Sequence, residues 1–422
     1  MEKTIQFNRY LPAAVLYFFL NSFLLPLGLL YTTLLTPVFL IWLYRYPSFR
    51  YIWLFFIVSL PFMAVHFLHG VDVVVYLKSY LLLFSVFVFS VCVYQFLKLV
   101  KSLGSIYRSL IIINLFLVVV ALAVYFVPGL KDVFWYKNFL TKGVNDLYRL
   151  KLLTYEASYY SFLLAPIAIY YYLKILLFRK RSGATTFLMV TIPLLLSLSF
   201  GVILAIVAAV LLLLCSDLRI LSIHRNFARY TLILLVIGFA FLFILLQFFP
   251  DNIVFIRIEN VFKGRDTSFS GRTFDSVFLG WKIAAQKSIF FGSGPGQTKV
   301  LGLELFNEYY NWHFASPDQL VIPNSMGDIL AGYGLLGVML KLSLEVYFFF
   351  KSRVYTNYYR LTIFLFVFLY QFTGSFITNI AEYVIWILAF YAPLFPEFDK
   401  KSVFNIHKDP GAYMPASLKP AG

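Results

Sequence analysis

The chain has 422 residues, of which 61% are hydrophobic and only 13% are charged, and its formal net charge is +16. Soluble globular proteins are about a quarter charged, so this composition excludes a soluble enzyme and indicates an integral membrane protein. The basic residues are scattered between apolar runs, where they set topology and suit anionic head groups, so we expect membrane lipids and no nucleic acid as partners. The two cysteines lie in apolar runs and predict neither disulfide nor metal site.

Apolar runs fill most of the chain, and a membrane helix needs roughly 20 such residues. The run 11–42 is too long for one span, and Asn21, Ser22 and Pro26 predict a break inside it. A second hairpin is predicted over 186–214, broken at 197–201. We therefore predict an all-α polytopic fold of about 12 transmembrane helices, over residues 11–42, 51–67, 73–97, 110–127, 155–178, 186–214, 230–249, 327–350, 362–377 and 380–394.

Positive charge sets the predicted orientation. The basic residues between spans fall on one face, which the positive-inside rule makes cytoplasmic together with both termini. The chain then forms a single integral membrane domain, 1–422, with a small outer segment at 128–151 and a large outer loop at 251–326. Residues 400–422 lack an apolar period and are predicted to be a disordered cytoplasmic tail.

The large loop carries a helical period. Apolar residues at helical spacing within 272–288 predict an amphipathic helix that lies on the membrane surface or on the helix bundle. The apolar stripe consists of Phe274, Val277, Phe278, Trp281, Ala284 and Ala285. Ser270 is a candidate N-cap that would hold Arg272 at the positive helix end, where a guanidinium suits a phosphate or diphosphate. The alternative is an arginine that snorkels to the interface. Arg257 and Arg265 are weaker candidates of the same kind.

Two further motifs follow in this loop. Residues 292–296 read Gly-Ser-Gly-Pro-Gly and predict a tight turn rather than a nucleotide-binding loop. Residues 323–328 predict a helix start, with Asn324 as a good cap and Ser325 and Asp328 at capping-box spacing. Small residues that would allow close helix packing come next, at Gly327, Ala331, Gly334 and Gly337.

Glu156 opens a span on the outer side, in the sequence Thr-Tyr-Glu-Ala-Ser-Tyr-Tyr that also contains Tyr159. A carboxylate in a first turn favours the helix dipole, which is the structural explanation. An acid at the edge of the hydrocarbon is nevertheless costly, which favours a function such as a general base. His313 in the outer loop could assist as a second base, although a lone loop histidine is more often structural.

Together these features resemble the O-antigen polymerase and ligase superfamily, which are membrane glycosyltransferases of the bacterial envelope. The resemblance covers about the last two-thirds of the chain. It rests on the Glu156 motif, the hairpin break at 197–201, the Arg272 helix, the turn at 292–296 and the Pro-Asn-Ser start at 323–325.

The resemblance implies a GT-C-like enzyme of the bacterial inner membrane with a periplasmic active site and no metal or cofactor. Its donor would be an undecaprenyl-diphosphate-linked oligosaccharide. Glu156 would take the acceptor's proton, with His313 as a second base. Arg272 and Arg265 would bind the diphosphate, and Arg257, Asn324 and Tyr159 would contact substrate. A chain-length regulator and a flippase are expected partners.

Two departures from the family pattern favour a repeat-unit polymerase over a ligase that transfers the glycan to lipid A core. Ligases tend to carry a histidine near the position of Pro323 and Asn324, and many relatives carry an arginine in the hairpin at 199–201. This sequence has neither residue at these places. A lipid-linked oligosaccharide flippase or another transporter is the alternative from a different class. A transporter is expected to line its cavity with charges inside the spans, where this sequence has few.

Overall fold

The computed structural model describes residues 10–26, 29–100, 102–138, 147–178, 183–218, 220, 267–311, 316–317 and 320–408. Helices dominate these ranges. Within them, five helices are long and apolar enough to cross a membrane, so the protein is a helical membrane protein: Pro47–Leu68, Val73–Leu99, Leu103–Phe126, Ala157–Phe178 and Ser325–Lys351. The predicted span at 230–249 lies outside the described residues.

The first half of the chain contributes helices α1–α10 and one small sheet. Helix α1 continues as a π-helix over Leu16–Leu20, and 3₁₀ turns cover Pro47–Tyr51 and Val124–Phe126. The helices are Leu11–Val15, Tyr31–Leu34, Thr36–Tyr44, Ile52–Leu68, Val73–Leu99, Leu103–Ala123, Lys131–Phe134, Ala157–Phe178, Gly183–Leu196 and Phe200–Ser216. Both predicted hairpin breaks are confirmed, because the chain turns after Leu20 and again between Leu196 and Phe200.

The second half contributes α11–α18, with 3₁₀ turns at Val354–Thr356 and Pro396–Phe398. These helices are Thr267–Arg272, Phe274–Ala285, Thr298–Leu301, Leu303–Tyr310, Ser325–Lys351, Tyr358–Tyr370, Ile380–Phe390 and Lys400–Lys408. Helix α18 corrects the first part, 400–408, of the disordered tail that was predicted over 400–422, and the remainder lies outside the described residues. Its first residue lies beside a buried acid, with Lys400 Nζ 3.6 Å from Asp217 Oδ2.

The segment 128–151 contains the other departure from a purely helical chain. Strands β1 (Trp135–Asn138) and β2 (Leu147–Leu150) pair antiparallel, with Trp135 opposite Leu150. The indole of Trp135 donates to the backbone oxygen of Ala121, so the hairpin is fastened to the end of α6. The sequence did not predict these strands, because neither is long enough to display an alternating pattern.

Helix α8 is the centre of the main core. Every side chain from Ala157 to Tyr170 is buried, and α10, α16 and α17 pack around it in one apolar cluster. Tyr160 donates to Asn114 Oδ1 at 2.7 Å, which satisfies the polar end of a completely buried ring. Because Glu156 directly precedes the first residue of α8, this rigid helix fixes the position of that carboxylate.

Helix α15 is not one straight span. Gly334 has φ +65° and ψ −164°, a conformation that favours glycine and breaks the helix. Ser325 and Lys341 are 16 positions apart, and a straight helix would separate them by about 24 Å. Instead, Lys341 Nζ lies 2.9 Å from Ser325 Oγ. The two halves of α15 therefore fold back on each other, so Ser325–Lys351 has the length and composition of a membrane-crossing helix but is divided at Gly334. The sequence assigned Gly334 to close packing, and a Cβ on it would indeed lie 2.5 Å from the backbone nitrogen of Gly292, but the helix break at this glycine was not predicted.

Helix α12 packs along the first half of α15 through small residues. The backbones meet at Gly280 and Gly327, and Ile283 and Ala331 share a second small apolar cluster. α12 turns its Ser276 and Gly280 face to the helix bundle and exposes Phe274 and Trp281 of the predicted stripe. The stripe therefore does not pack on the bundle, and its placement on the membrane surface stays a prediction. Small residues prevail because they allow two helix backbones to approach closely.

The predicted turn at 292–296 is confirmed, and it contacts the first half of α15, on which α12 also packs. Gly292 has φ +82°, and a Cβ on it would lie 2.5 Å from the backbone of Gly332. Ser293 N donates to Ala331 O and Gly294 N to Gly332 O, both at 2.9 Å. The turn thus hydrogen-bonds to the residues just before the break in α15.

We expect Gly280→Ala to lower the free energy of unfolding by about 1–3 kcal/mol, the usual cost of overpacking. Its new Cβ would lie 2.4 Å from the Gly327 carbonyl oxygen. Thermal unfolding of the purified protein in detergent measures this effect. Gly201→Ala is the matched control, because its nearest new contact is an ordinary 3.8 Å. Equal stability of the two variants would contradict the close packing of α12 on α15.

Candidate functional site

A polar pocket of about 170 Å³ opens where α8, α11 and the segment between α16 and α17 meet. It brings together three of the residues singled out from the sequence: Glu156, Tyr159 and Arg272. The remaining lining residues are Tyr155, Ser158, Phe162, Val321, Pro323, Tyr370, Ser375, Phe376 and Asn379. The pocket therefore combines one acid, one guanidinium and several hydroxyl and amide groups on an aromatic wall.

Glu156 is the residue immediately before α8. Its backbone oxygen accepts from Tyr160 N at 3.1 Å and from Thr154 Oγ1 at 3.0 Å. Its side-chain Oε1 accepts a hydrogen bond from Ser158 Oγ. The carboxylate is thus oriented at the positive end of a rigid helix, in contact with the pocket, where it can accept a proton from a bound hydroxyl.

Arg272 ends α11, one residue before the N-cap position of α12. That cap is Thr273, so the predicted cap at Ser270 is wrong: Ser270 lies inside the preceding short helix, and its backbone oxygen accepts from Thr273 N at 3.1 Å. The guanidinium lies within electrostatic range of the Tyr370 hydroxyl, as does the Glu156 carboxylate. A cation and an acid therefore act on the same pocket wall.

Asn324 organises the pocket without lining it. Its Oδ1 accepts from Met326 N at 2.9 Å and Gly327 N at 3.0 Å, which confirms it as the cap of α15. Its Nδ2 donates to the backbone oxygens of Arg272, at 2.7 Å, and Phe372. The predicted capping box does not form, because Ser325 and Asp328 bond to other partners. In this structure Asn324 joins α11, α15 and the segment after α16.

Tyr159 lines the pocket from one turn inside α8. Its hydroxyl accepts from Asn21 Nδ2 at 3.3 Å, and its ring lies against Tyr155 with centroids 4.7 Å apart. The residues of the first hairpin break are therefore part of the support of the pocket. The other predicted site residues, Arg257, Arg265 and His313, lie outside the described residues and stay predictions.

Arg149 was missed by the sequence analysis. It comes from strand β2, is almost completely buried, and donates Nε to Ser197 O and Nη2 to Ser199 Oγ, each at 3.0 Å. Ser199 Oγ in turn donates to Ala157 O at 3.2 Å. An arginine thus does reach the hairpin break, where none was found in the local sequence. It fastens that break to the start of α8.

A buried ion pair lies beneath the pocket. Lys341 Nζ is 2.6 Å from Glu382 Oε1, and Ser325 Oγ donates to the same oxygen at 3.3 Å. The Trp386 indole is 3.5 Å from this oxygen. Glu382 is 1% exposed and Lys341 15% exposed, so both charges are largely removed from solvent. Few charges were expected inside the spans, and nothing in the local sequence indicates this pair.

Two more acids lie near the pair. Asp328 Oδ2 accepts from Ile377 N, and Glu345 Oε2 accepts from Gln371 Nε2, each at 3.0 Å. Both acids lie within electrostatic range of Lys341 and Glu382. This buried cluster, defined as Asp328, Lys341, Glu345, Gln371 and Glu382, joins both halves of α15 to the segment that forms the pocket floor.

Lys341→Met is expected to lower the free energy of unfolding by about 3–5 kcal/mol, because it leaves Glu382 buried without its partner. Lys351→Met is the matched control on the same helix: that lysine is exposed, and its Nζ bonds to Tyr347. Thermal unfolding in detergent compares the two. A Lys341 variant no less stable than the Lys351 variant would show that the pair contributes nothing.

A second, larger cavity of about 450 Å³ lies further along the same helices. On α8, Tyr159 and Phe162 line the polar pocket, while Leu163, Pro166 and Ile167 line the cavity. Asn379, the N-cap of α17, lines the pocket, and the helix itself lines the cavity with Ala381, Val384, Ile385 and Leu388. These spacings keep both chambers on one face of each helix, so a polar chamber is followed by an apolar one.

Another carboxylate, that of Asp275, connects helices α12 and α14 beside the pocket. Asp275 on α12 accepts from the hydroxyls of Tyr309, at 3.0 Å, and Tyr310, at 3.2 Å, on α14. Burial, followed by the charge of Asp275, raises the pKa of Tyr310 above its usual value. Both phenols therefore remain donors at neutral pH and hold α14 against α12, just beyond Arg272.

No protein-family model matches this chain, and no curated protein matches it.

Proposed function

We propose that the protein is an O-antigen or related polysaccharide repeat-unit polymerase that uses a polyprenyl-diphosphate-linked donor. The observation that carries this proposal is the order of the two chambers. A pocket with a guanidinium and a carboxylate and a largely apolar cavity lie one after the other along α8 and along α17 with its cap, although they share no lining residue. Such an arrangement suits an amphiphile with an anionic head group and a long hydrocarbon chain.

The polar chamber has the chemistry for a diphosphate. Arg272 offers a planar fork of donors, and a guanidinium binds phosphate oxygens in a bidentate way. The N-terminus of α17 also meets the pocket at Asn379, whose Oδ1 caps Ala381 N, and helix N-termini favour anions. The apolar cavity has about three times the volume of an engineered 150 Å³ cavity that holds one benzene, so it accommodates part of a lipid chain.

The proposed reaction follows from these positions. The acceptor hydroxyl gives its proton to the Glu156 carboxylate while its oxygen bonds to the anomeric carbon of the donor. The bond from that carbon to the diphosphate oxygen breaks, and the electron pair leaves with the lipid diphosphate. Arg272 stabilises the charge that develops on this leaving group, which is the kind of interaction that lowers a barrier most.

The proposal includes the topology expected from the sequence. The chain would span the bacterial inner membrane about 12 times, with both termini in the cytoplasm and the pocket facing the periplasm. Residues 128–151 and 251–326 would form the periplasmic segments. Membrane lipids, a chain-length regulator and a flippase would be its neighbours, and Arg257, Arg265 and His313 would complete the site from the large loop.

The test is a reconstituted assay. Purified protein in proteoliposomes is given lipid-linked oligosaccharides extracted from the native membrane, and the products are read as a ladder of glycan lengths. We expect a ladder without added nucleotide sugar. Transfer only when lipid A core is supplied would make the protein a ligase instead. Absence of both products, with a lipid-linked substrate that a known polymerase elongates, would contradict the proposal.

Transport is a second candidate, favoured by the buried cluster. Lys341, Glu345 and Glu382 are ionisable side chains inside the helix bundle, the feature expected of a transporter. The same proteoliposomes distinguish the two functions, because a flippase would move a fluorescent lipid diphosphate between leaflets without lengthening any glycan.

A further inference from the structure

The buried cluster beneath the pocket has more acids than its lysine can balance. Asp328, Glu345 and Glu382 supply three carboxyl groups, and Lys341 supplies one ammonium. Among the described residues, the other titratable group that faces Glu345 is Tyr383 on α17, which becomes negative if it ionises and so cannot compensate. Uncompensated carboxylates in a helix bundle of low dielectric are strongly disfavoured.

The buried atoms that have no hydrogen-bond partner point to the carboxyl group whose charge a proton can neutralise. Within the described residues, Glu345 Oε1 and Gln371 Oε1 are both buried and have no hydrogen-bond partner. The two side chains are 5% and 0% exposed, and they already share the bond from Gln371 Nε2 to Glu345 Oε2. When the Glu345 carboxyl is ionised, its Oε1 and the Gln371 Oε1 are both acceptors, so neither can donate a hydrogen bond to the other. A proton on Glu345 Oε1 supplies that donor.

Other ligands of the cluster fit less well. The three acids of the cluster are not arranged to hold a metal ion, because no group of acidic, histidine or cysteine ligands that could do so occurs within the described part of the chain. Glu382 Oε2 is also unpaired, but Glu382 already has the Lys341 ammonium as its counter-charge. Asp328 accepts a backbone hydrogen bond from Ile377. Glu345 is therefore the carboxyl whose neutral form its surroundings satisfy best.

We propose that Glu345 is a proton-binding site, in which a neutral carboxyl group pairs with the Gln371 amide. Gln371 directly follows Tyr370, and the next residues include Ser375 and Asn379, so the pair holds the pocket floor in place. The bound proton also removes a negative charge from beneath a pocket suited to anions. This role does not depend on which reaction the pocket catalyses.

Infrared spectroscopy of the full-length protein in lipid nanodiscs tests the proposal directly. A protonated carboxyl has a carbonyl stretch separate from that of a carboxylate. We expect the wild-type protein to show this band at neutral pH, and Glu345→Gln to lose it. Asp328→Asn is the matched control, because it removes a neighbouring acid on the same helix and should keep the band. Survival of the full band in Glu345→Gln would overturn the proposal, as would its absence from the wild type.

A second measurement covers the case in which a variant fails to fold. Wild-type protein labelled with ¹³C in the glutamate side-chain carboxyls, and separately with ¹³C in those of aspartate, should shift the band only with the glutamate label. A shift only with the aspartate label would assign the proton to an aspartate and overturn the proposal. Neither experiment requires substrate, so its failure is distinct from failure of the polymerase assay.

Stability against pH gives an independent readout. A group that holds its proton in the folded protein but releases it on unfolding destabilises the fold as the pH rises above the unfolded glutamate pKa of about 4.3. We therefore expect the melting temperature of the wild type to fall with rising pH relative to that of Glu345→Gln. Parallel curves over the neutral range would contradict a proton on Glu345.

Discussion

Arg272→Ala is expected to lower the rate of glycan transfer by about 10²–10³-fold, the usual effect of removing one donor that stabilises developing negative charge. The guanidinium lies in the polar pocket at the end of α11, and its backbone is held by Asn324. Because a diphosphate is charged both before and after it leaves, we expect KM to rise as well as kcat to fall. Initial rates of the ladder assay at several donor concentrations separate the two.

Two variants control this experiment. Arg272→Lys keeps the charge but loses the planar fork, so its activity should lie between those of the wild type and the alanine variant. Arg353→Ala removes an exposed arginine after the far end of α15 and should leave the rate unchanged. If Arg272→Ala elongates glycans at the wild-type rate, the guanidinium does not bind the leaving group.

Glu156→Gln is expected to lower kcat by about 10²–10⁴-fold, the range for loss of a general base. The amide keeps the shape of the side chain and leaves the backbone bonds at the start of α8 in place. It cannot accept the acceptor's proton. KM for the donor should change little, since the donor's diphosphate contacts are assigned to Arg272.

Glu304→Gln is the matched control, because Glu304 is an exposed acid on α14 that does not line the pocket. Thermal unfolding of each variant checks that the fold is intact. A Glu156→Gln enzyme with wild-type kcat would exclude this carboxylate as the base. His313 would then be the next residue to replace.

Features that depend on local sequence were predicted well. Asn324 was identified as a cap because its short amide bonds to nearby backbone groups in almost any context. The turn at 292–296 was identified because its three glycines permit positive φ. The start of α8 at Glu156 followed from the boundary between a polar segment and an apolar run. These signals do not require knowledge of distant residues.

Features that depend on contacts between distant residues were missed. Lys341 and Glu382 are 41 positions apart, and Arg149 and Ser199 are 50 apart, so nothing local indicates that they meet. The apolar stripe of α12 could have faced the bundle or the membrane surface, and the sequence did not show that the bundle would be met by Gly280 and its small neighbours through close backbone contact. In a membrane protein a large apolar face can meet lipid, so apolarity alone does not identify the buried side.

Photo-crosslinking tests the central claim that one amphiphile occupies both chambers. Full-length protein in nanodiscs is irradiated with a farnesyl diphosphate that carries a diazirine on its chain, and labelled peptides are mapped by mass spectrometry. We predict labelling of the cavity faces of α8 and α17, near Ile167 and Ile385, competed by unlabelled polyprenyl diphosphate and weakened by Arg272→Ala. Labelling confined to outward-facing positions such as Phe116, unchanged in Arg272→Ala, would contradict the account.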